Sequence, residues 1–427
     1  MRVNSAMSAA QRCQRNAFPG SLAWCWLAIA CWLATACEVC SQDSQAIYPE
    51  PDFTATRVDG REISGRVVGL SLEKMTLVDD ANHRLELPLR SLVKLVRNHR
   101  PPLQALEASH VLLPEGDRLM RVVVGSTTNT SIDVQCYSAL GKLQLPLDCV
   151  LGLMLMPPSD TVAFDRLWDQ LLTDPRSTEV VWLSNGDRVT GSFLGMDDRF
   201  IKLQLAGGAV QLDRSGAIAI GFDPALVDYP IQQTDFLEFS FVDGSRLGVV
   251  EAALERGQVT AQTRFGQSIQ FPFADVIRID VITPVVTYLS EREPAGVQYV
   301  PYVGPTRPFR RNRTVDGRTF QLAGQTYDRG LGTQSRTLLA YRVEPGDQRF
   351  QALVGVDERA GPLGSVVFRV LTDSTTRFST PPMTARDAPR AVDVDLSGAR
   401  LLILITEFGE RGDVRDLADW VEARIIR

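Results

Sequence analysis

The feature that most constrains the fold is a repeat, in which a glycine turn is followed at a nearly fixed distance by an apolar–proline–apolar triplet. The turns are Asp59-Gly60, Glu115-Gly116, Asn185-Gly186 and Asp243-Gly244. An acidic residue or Asn before Gly suits a tight hairpin, because both positions tolerate positive φ. Roughly 25 to 30 residues after three of these turns come the triplets LPL at 87–89, LPL at 145–147 and FPF at 271–273. In the third copy, Val210-Gln211-Leu212 stands where the triplet would be. Such recurrence identifies an internal repeat.

Each repeat is about 50 residues long and contains several short strands. Alternating apolar residues at Ile201, Leu203 and Leu205 mark a strand with one buried face. A unit of this size buries little surface alone, so we expect the copies to pack together or to pair strands. In outline the units resemble small SH3-like or Sm-like β-barrels. We place them at residues 52–98, 108–156, 178–224 and 234–282.

One helix is expected between the second and third repeats, over residues 160–175. Its apolar side chains follow the helical spacing i, i+3, i+4, i+7 and i+8, and they are Phe164, Leu167, Trp168, Leu171 and Leu172. Pro175 ends the segment. An apolar stripe of this kind predicts core packing.

The composition of the sequence changes near residue 285, where several prolines precede a new strand-rich segment. Short apolar strands separated by Gly, Pro and Asp turns predict a β-sandwich over residues 285–427. The run from Leu401 to Ile405 is apolar without alternation, which suits a central strand. Trp420 is expected to anchor the core from the last strand. The whole chain is therefore predicted to be all-β with one short linking helix.

A set of motifs in this last third occurs in a characteristic order. They are YDRGLGT at 327–333, FQA at 350–352 leading into VGVD at 354–357, GSV at 364–366, GA at 398–399, and Asp416 with ADW at 418–420. This ordered set resembles the NPCBM family, carbohydrate-binding modules found beside glycoside hydrolase domains. The resemblance implies a galactose-binding-like jelly roll of two antiparallel sheets. The family usually has His after Gly-x-Gly-Thr, whereas this chain has Gln334, which can hydrogen-bond but cannot titrate.

The N-terminal 36 residues have the pattern of a secretory signal peptide. Arg2, Arg12 and Arg15 precede an apolar run over residues 21–36 that ends in Ala-Thr-Ala. The run is short for a bilayer span. Cys37 follows directly, so a lipoprotein-type cleavage with acylation of Cys37 is the alternative to plain secretion. Either way we expect an exported protein of the periplasm, the cell surface or the extracellular space.

Two cysteines lie in the folded region, Cys136 and Cys149. In an oxidising compartment they could form a disulfide across neighbouring strands, and two buried free thiols are the alternative. The net charge of −6 gives no reason to expect nucleic acid as a partner. The basic stretch RPFRRNR at 307–313 is interpreted as a solvated entry to the last domain.

No catalytic arrangement is recognisable. The only histidines, His83, His99 and His110, are not at zinc-ligand spacing or in a Ser–His–Asp context, and we expect them at the surface or in turns. Glycoside hydrolysis needs paired carboxylates on a scaffold that encloses a sugar, and the repeats and the sandwich leave no long segment for one. The chain is therefore not expected to be an enzyme, and no cofactor is predicted.

Sugar binding needs an aromatic face and planar polar groups. The candidates are Tyr327, Arg329, Gln334, Arg359, Phe378, Phe408 and Arg411. A structural calcium ion is also considered, with Asp357 and Glu358 as ligands, because Ca²⁺ prefers several hard oxygen atoms. We thus expect an exported polysaccharide-binding or glycoconjugate-binding protein. The alternative is a structural or protein–protein interaction protein of the cell envelope, in which exposed strand edges bind partners.

Overall fold

Every repeat has the same antiparallel five-strand topology. The computed structural model describes residues 52–427 except 80, 99–107, 129, 139, 233 and 303–306, so the signal sequence and Cys37 lie outside the described residues. The first repeat consists of β1 (Asp52–Arg57), β2 (Glu62–Leu70), β3 (Lys74–Val78), β4 (Arg84–Pro88) and β5 (Leu92–Arg97). Strands β1 to β4 pair in succession, and β5 returns to pair with β1.

The second repeat and the helix follow. Their elements are β6 (Ser109–Leu112), β7 (Arg118–Thr127), β8 (Ser131–Cys136), β9 (Lys142–Pro146), β10 (Gly152–Met154) and α1 (Thr161–Thr173). Asp160 caps the helix, since its Oδ1 accepts a hydrogen bond from the Ala163 backbone N–H at 2.8 Å. Leu167, Trp168 and Leu171 form the buried face of α1. The helix expected from the apolar spacing is therefore present.

The third and fourth repeats complete the first part of the chain. The third has β11 (Val180–Leu183), β12 (Arg188–Thr190), β13 (Ser192–Met196), β14 (Phe200–Leu205), β15 (Gly208–Asp213) and β16 (Ala217–Gly221), with β12 and β13 together filling the place of a second strand. The fourth has β17 (Phe236–Phe241), β18 (Arg246–Glu255), β19 (Gln258–Thr263), β20 (Ser268–Pro272) and β21 (Val276–Ile282). Among the described strands, no fourth strand pairs with the fifth strand of its own repeat, so the hydrogen-bonded ring is not closed in this SH3-like arrangement.

Two sequence signals explain why the repeats share this topology. Gly60, Gly116, Gly186 and Gly244 have φ between 81° and 91° in the turn before the second strand, a region that favours glycine. A single 3₁₀ turn joins the fourth strand to the fifth in every copy, at Leu89–Ser91, Leu147–Cys149, Arg214–Gly216 and Phe273–Asp275. Three of these turns begin directly after the proline of the triplet. In the third copy Asp213 occupies the position of the proline. Its side-chain Oδ1 accepts a hydrogen bond from the Ser215 backbone N–H at 2.9 Å. The match at 210–212 is therefore corrected by two residues, to 212–214.

The fifth strands join the repeats in two pairs. Strand β5 pairs antiparallel with β21, centred on Leu95 opposite Ile279. Strand β10 pairs antiparallel with β16, centred on Leu153 opposite Ile220. Counted from the start of the 3₁₀ turn, all four central residues hold the same position of the repeat. Repeats 1 and 4, and repeats 2 and 3, are therefore related by local pseudo-twofold axes, as in an isologous dimer contact.

The remaining strands form a β-sandwich around a separate apolar core. They are β22 (Val286–Tyr288), β23 (Gly296–Tyr299), β24 (Arg310–Arg311), β25 (Phe320–Leu322), β26 (Gln325–Tyr327), β27 (Gly330–Thr333), β28 (Thr337–Arg342), β29 (Arg349–Val356), β30 (Val366–Thr372), β31 (Thr375–Ser379), β32 (Arg390–Asp395), β33 (Leu401–Phe408) and β34 (Ala418–Ile426). One sheet has the order β24-β27-β34-β29-β32, with β22 added against β34, and the other has the order β23-β28-β33-β30-β31. Trp420 is fully buried and packs edge-to-face on Phe368 at 5.2 Å. The predicted core anchor and central strand are both confirmed.

Candidate functional site

Four loops at one end of the sandwich line a pocket of about 370 Å³. One loop precedes β24, one joins β24 to β25, one follows β27, and one joins β33 to β34. The residues that line the pocket are Arg307, Asp316, Gln334, Asp413, Arg415, Asp416 and Leu417. The pocket is polar, with two arginines and three carboxylates at its wall.

Gln334 supplies the amide of this pocket. Its Nε2 donates to the Asp413 backbone oxygen at 3.4 Å. Oε1 is buried and has no hydrogen-bond partner among the described residues. A buried acceptor without a donor is costly, so this amide has hydrogen-bonding capacity left for a bound group.

Asp416 holds the loops of the pocket together. Its carboxylate accepts hydrogen bonds from the Ser335 hydroxyl and from the Ser365 backbone N–H, the latter at 2.9 Å. Burial raises the pKa of Asp416 to about 6, although both hydrogen bonds favour the ionised form. At neutral pH the group is therefore mainly ionised and fixes the segment that carries Gln334.

An exposed aromatic ring stands beside the pocket. Tyr302 is 68% exposed, and its ring contacts Phe408 in a T-shaped arrangement at 5.5 Å. Its backbone N–H donates to Asp413 Oδ2 at 3.2 Å, which ties the ring to the pocket wall. A Cβ at Gly412 would lie 2.9 Å from the Tyr302 ring, so the glycine allows this close approach. Tyr302 is not among the residues predicted from the sequence, and its place beside Pro301 in the linker was the available signal.

The structure brings three of the predicted ligand-binding residues to this end of the sandwich. Gln334 lines the pocket, Phe408 supports Tyr302, and Arg411 is an exposed residue of the loop between β33 and β34. Arg411 Nη1 donates to the Pro362 backbone oxygen at 2.5 Å.

The other four predicted residues lie elsewhere. Phe378 is half-buried on the edge strand β31 and packs against the sandwich core. Arg359 pairs with Asp357 at 2.7 Å and approaches Asp165 of α1 at 3.7 Å. Tyr327 and Arg329 face the repeats, where Arg329 Nη2 donates to Glu238 Oε1 at 2.8 Å.

The carboxylates considered for calcium already accept hydrogen bonds from the protein. Asp357 accepts hydrogen bonds from the Arg359 side chain and from the Gln321 backbone N–H. Glu358 accepts one from the Gly324 backbone N–H. Among the described residues, no group of three or more His, Cys, Asp and Glu side chains has an arrangement suited to a metal ion. A calcium ion at Asp357 would have to displace the Arg359 guanidinium, so the residues present do not fit this cation.

The cysteines and one histidine are buried. Cys136 and Cys149 are both free thiols, so the structure contains no disulfide between them. Burial raises the pKa of each thiol to about 12, which makes both poor nucleophiles at neutral pH. His110 was expected at the surface, but it lies on β6 with its ring 5.6 Å from that of Phe164. Burial lowers the pKa of His110 to about 4, so it is a neutral core residue. His99 lies outside the described residues.

Comparison with known proteins identifies the sandwich. Residues 286–426 match the family model described as NPCBM/NEW2 domain. A candidate endo-alpha-N-acetylgalactosaminidase of Renibacterium salmoninarum is 29% identical over 111 residues, which is 26% of this chain. The match spans only 7% of that protein's length.

Two solved structures from Clostridium perfringens are also similar. The CBM51 module of GH95, in complex with methyl-galactose, is 26% identical and covers 33% of this chain and 99% of its own, with a TM-score of 0.30. CBM51-2 with the INT domains of ZmpB, in complex with GlcNAc, is 21% identical and covers 53% of this chain and 45% of its own, with a TM-score of 0.31. The NPCBM/NEW2 family model thus accounts for residues 286–426, the last third of this chain.

Proposed function

We propose that the chain is an exported, non-catalytic protein that binds a polysaccharide or glycoconjugate of the cell surface or envelope. Binding takes place at the pocket beside Tyr302 in the NPCBM domain. The observation that carries this proposal is the pairing of the exposed Tyr302 ring with the buried, unpartnered Oε1 of Gln334.

This pairing matches the two chemical faces of a sugar. The C–H face of a pyranose stacks on an aromatic ring, and its hydroxyls form hydrogen bonds with planar polar groups. Tyr302 offers the ring, and Gln334 Oε1 accepts from a hydroxyl. Arg415 at the pocket wall can donate to a ring or hydroxyl oxygen. A pocket of about 370 Å³ suits one or two sugar units rather than a long segment.

The sugar class is inferred from the relatives. One similar structure was solved with methyl-galactose and another with GlcNAc, and both ligands are neutral hexoses. The replacement of the family's usual His by Gln334 keeps a hydrogen-bonding group without a titrating one. We therefore propose a neutral hexose unit of the galactose or N-acetylglucosamine type, bound without dependence on histidine protonation.

Three features support an exported, non-catalytic role. The first 36 residues have the signal-peptide pattern, with Cys37 placed for acylation as the alternative to release. Within the described part of the chain, no helix is long and apolar enough to span a membrane. The repeats, the helix and the sandwich account for the described residues, and the pocket carboxylate Asp416 is engaged with Ser335 and Ser365. Weak single sites of this kind gain affinity when several bind one polymer.

The test is a glycan array of the full chain, followed by calorimetry with methyl-galactoside and N-acetylglucosamine. Tyr302→Ala and Gln334→Ala are each expected to weaken binding about tenfold, because each removes an interaction of about 1 to 1.5 kcal/mol. The matched control is Tyr137→Ala, which removes an equally exposed tyrosine (61%) from the second repeat and is expected to leave binding unchanged.

A folded protein that binds no neutral glycan would contradict the proposal and favour the structural or protein-interaction role. Equal losses in Tyr137→Ala and Tyr302→Ala would show that the array reports nonspecific adhesion of exposed aromatics.

A further inference from the structure

A second and larger cleft, of about 410 Å³, lies between repeat 2, helix α1 and the NPCBM domain. Leu151 of repeat 2 and Trp168 and Leu172 of α1 form an apolar wall. The NPCBM domain also lines the cleft, with residues that include Arg313 and Arg329. This cleft has no lining residue in common with the pocket of Gln334.

Most charges of the cleft are paired within the protein. Arg118 Nη2 donates to Asp328 Oδ2 at 2.9 Å. Arg246 lies between two carboxylates, with its Nη2 2.5 Å from Glu238 Oε2 and its Nη1 3.6 Å from Asp328 Oδ2. Arg329 pairs with Glu238 and stacks on the ring of Tyr288 at 4.6 Å. Three guanidinium groups thus share two carboxylates.

Arg313 is different, because it forms no ion pair with any described carboxylate. Its Nη1 donates a hydrogen bond to the backbone oxygen of the preceding residue, Asn312, at 3.1 Å. Burial lowers the pKa of Arg313, although Asp328 and Asp169 favour the charged form from a distance. Asp169 itself pairs with Arg310 at 2.9 Å. A partly desolvated guanidinium without a counter-ion is unfavourable.

The other acids around the cleft do not supply that counter-ion. Asp117 accepts hydrogen bonds from the Tyr229 hydroxyl and from the Gly248 backbone N–H. Glu291 Oε1 lies 3.7 Å from Arg329 Nε. Glu115 is exposed at the rim and forms no ion pair with Arg313 among the described residues. The stretch at 307–313, interpreted from sequence as a solvated linker, therefore places one guanidinium in a cleft with free donors.

We propose that this cleft is a second binding site, which takes an acidic sugar with its carboxylate or sulfate on Arg313 and its ring against the apolar wall. A guanidinium binds a carboxylate or sulfate through two parallel hydrogen bonds, a geometry that Lys cannot reproduce. The volume is sufficient for a monosaccharide with its charged group. The protein would then bind an acidic glycan at two sites, with a neutral sugar unit at Tyr302 and an acidic unit at Arg313.

The test is calorimetry on the full chain with glucuronic acid, glucose 6-sulfate, inorganic sulfate and glucose. We expect at least one of the two acidic sugars to bind at least tenfold more tightly than glucose and than inorganic sulfate. Arg313→Gln should abolish this preference, and Arg313→Lys should weaken it. The matched control is Arg342→Gln, which removes an exposed arginine from β28 in the sheet that does not line the cleft.

The two acidic probes distinguish a carboxylate site from a sulfate site. The proposal is overturned if neither acidic sugar binds better than glucose, if inorganic sulfate binds as tightly as glucose 6-sulfate, or if Arg313→Gln and Arg342→Gln have the same effect. Thermal unfolding of each variant shows whether it is folded. If Arg313→Gln does not fold, Arg313→Lys, which keeps the positive charge, provides the test. Tyr302→Ala should retain acidic-sugar binding. A failure of the cleft to bind an acidic sugar is therefore distinguishable from a failure of the Tyr302 pocket to bind a neutral one.

Discussion

Asp419 is a carboxylic acid that the NPCBM domain buries completely on β34. Among the described residues, no N–H or O–H group of a neutral or cationic side chain or of the backbone donates to its oxygens, and the carboxyl lies within hydrogen-bonding reach of the Asp357 carboxyl. Burial, and next the charge of Asp357, raise the pKa of Asp419 well above its usual range. The Asp357 carboxylate is in turn held by Arg359. The folded protein therefore keeps Asp419 protonated at pH values where the unfolded chain ionises it.

This environment predicts how an amide at position 419 would behave. Because the pKa is raised in the folded state, the stability contributed by Asp419 is fully present below its unfolded pKa. That stability is lost as the pH rises through the folded pKa, at about 1.4 kcal/mol per pKa unit of difference. Asp419→Asn cannot ionise, so its free energy of unfolding should increase relative to wild type between about pH 4 and about pH 8. Urea unfolding at several pH values measures this difference.

Asp395→Asn is the control, since it should show the opposite trend. Asp395 is exposed, and hydrogen bonds from Ser397 lower its pKa. Its contribution is present above the unfolded pKa and is lost as the pH falls through the folded one. A stability difference between Asp419→Asn and wild type that does not change with pH would contradict the protonated state of Asp419.

At the scale of elements, the repeats show what a local pattern can predict. The glycine turn and the proline triplet specify a hairpin and a 3₁₀ turn, which depend on a few consecutive residues. Asp213 replaces the proline because a capping carboxylate can also begin such a turn, and this explains the two-residue misplacement. The family motifs likewise predicted the sandwich and its Trp420 core.

The pairing of the repeats and the partners of the charged residues depend on residues distant in sequence. Nothing near Leu95 indicates that it lies opposite Ile279 of the fourth repeat. Tyr327 and Arg329 were predicted to bind ligand, but their neighbours include Ser240 and Glu238 of repeat 4. Gln334 could be predicted because the family motif marks its position, whereas no motif marks Tyr302.

The pseudo-twofold contact between repeats 1 and 4 makes a prediction of its own. Ile279 is fully buried at its centre, whereas Ile277 on the same strand is half-buried. Ile279→Ala should lower the free energy of unfolding by about 2 to 5 kcal/mol, because it leaves a cavity in the shared core. Ile277→Ala, the matched control, should cost clearly less. Equal costs in chemical denaturation would show that the centre of this contact is no better packed than its flank.

At the scale of the whole molecule, buried charges join the repeats to the NPCBM domain. Glu422 on β34 accepts a hydrogen bond from Lys94 Nζ at 2.5 Å and pairs with Arg278 Nη1 at 2.7 Å. Lys94 of repeat 1 and Arg278 of repeat 4 hold equivalent positions on either side of the pseudo-twofold axis between β5 and β21. One carboxylate of the sandwich thus binds a matched pair of cations from two repeats, and this fixes the orientation of the domain on the repeats.

Removing that carboxylate should therefore affect the whole structure. Glu422→Gln leaves Lys94 buried without a carboxylate partner, while Arg278 keeps Asp280. The expected cost is about 3 to 5 kcal/mol of unfolding free energy at neutral pH. Burial opposes ionisation of Glu422, but Arg278 and Lys94 hold its pKa well below the usual range. Its contribution is present above the unfolded pKa, so the deficit of the variant should shrink as the pH falls below about 4.

Glu86→Gln provides the comparison, because the Lys74–Glu86 pair is nearly as short, at 2.9 Å, but is about half exposed. An exposed pair contributes about 1 kcal/mol or less, since water screens the charges and the side chains lose freedom when they pair. Unfolding free energies in urea, measured at two salt concentrations, separate the two cases. Glu86→Gln should have a small effect that high salt removes, and Glu422→Gln a large effect that high salt leaves. If the two variants behave alike, the buried charges do not hold the NPCBM domain to the repeats, and the cleft beside Arg313 would not keep a fixed shape.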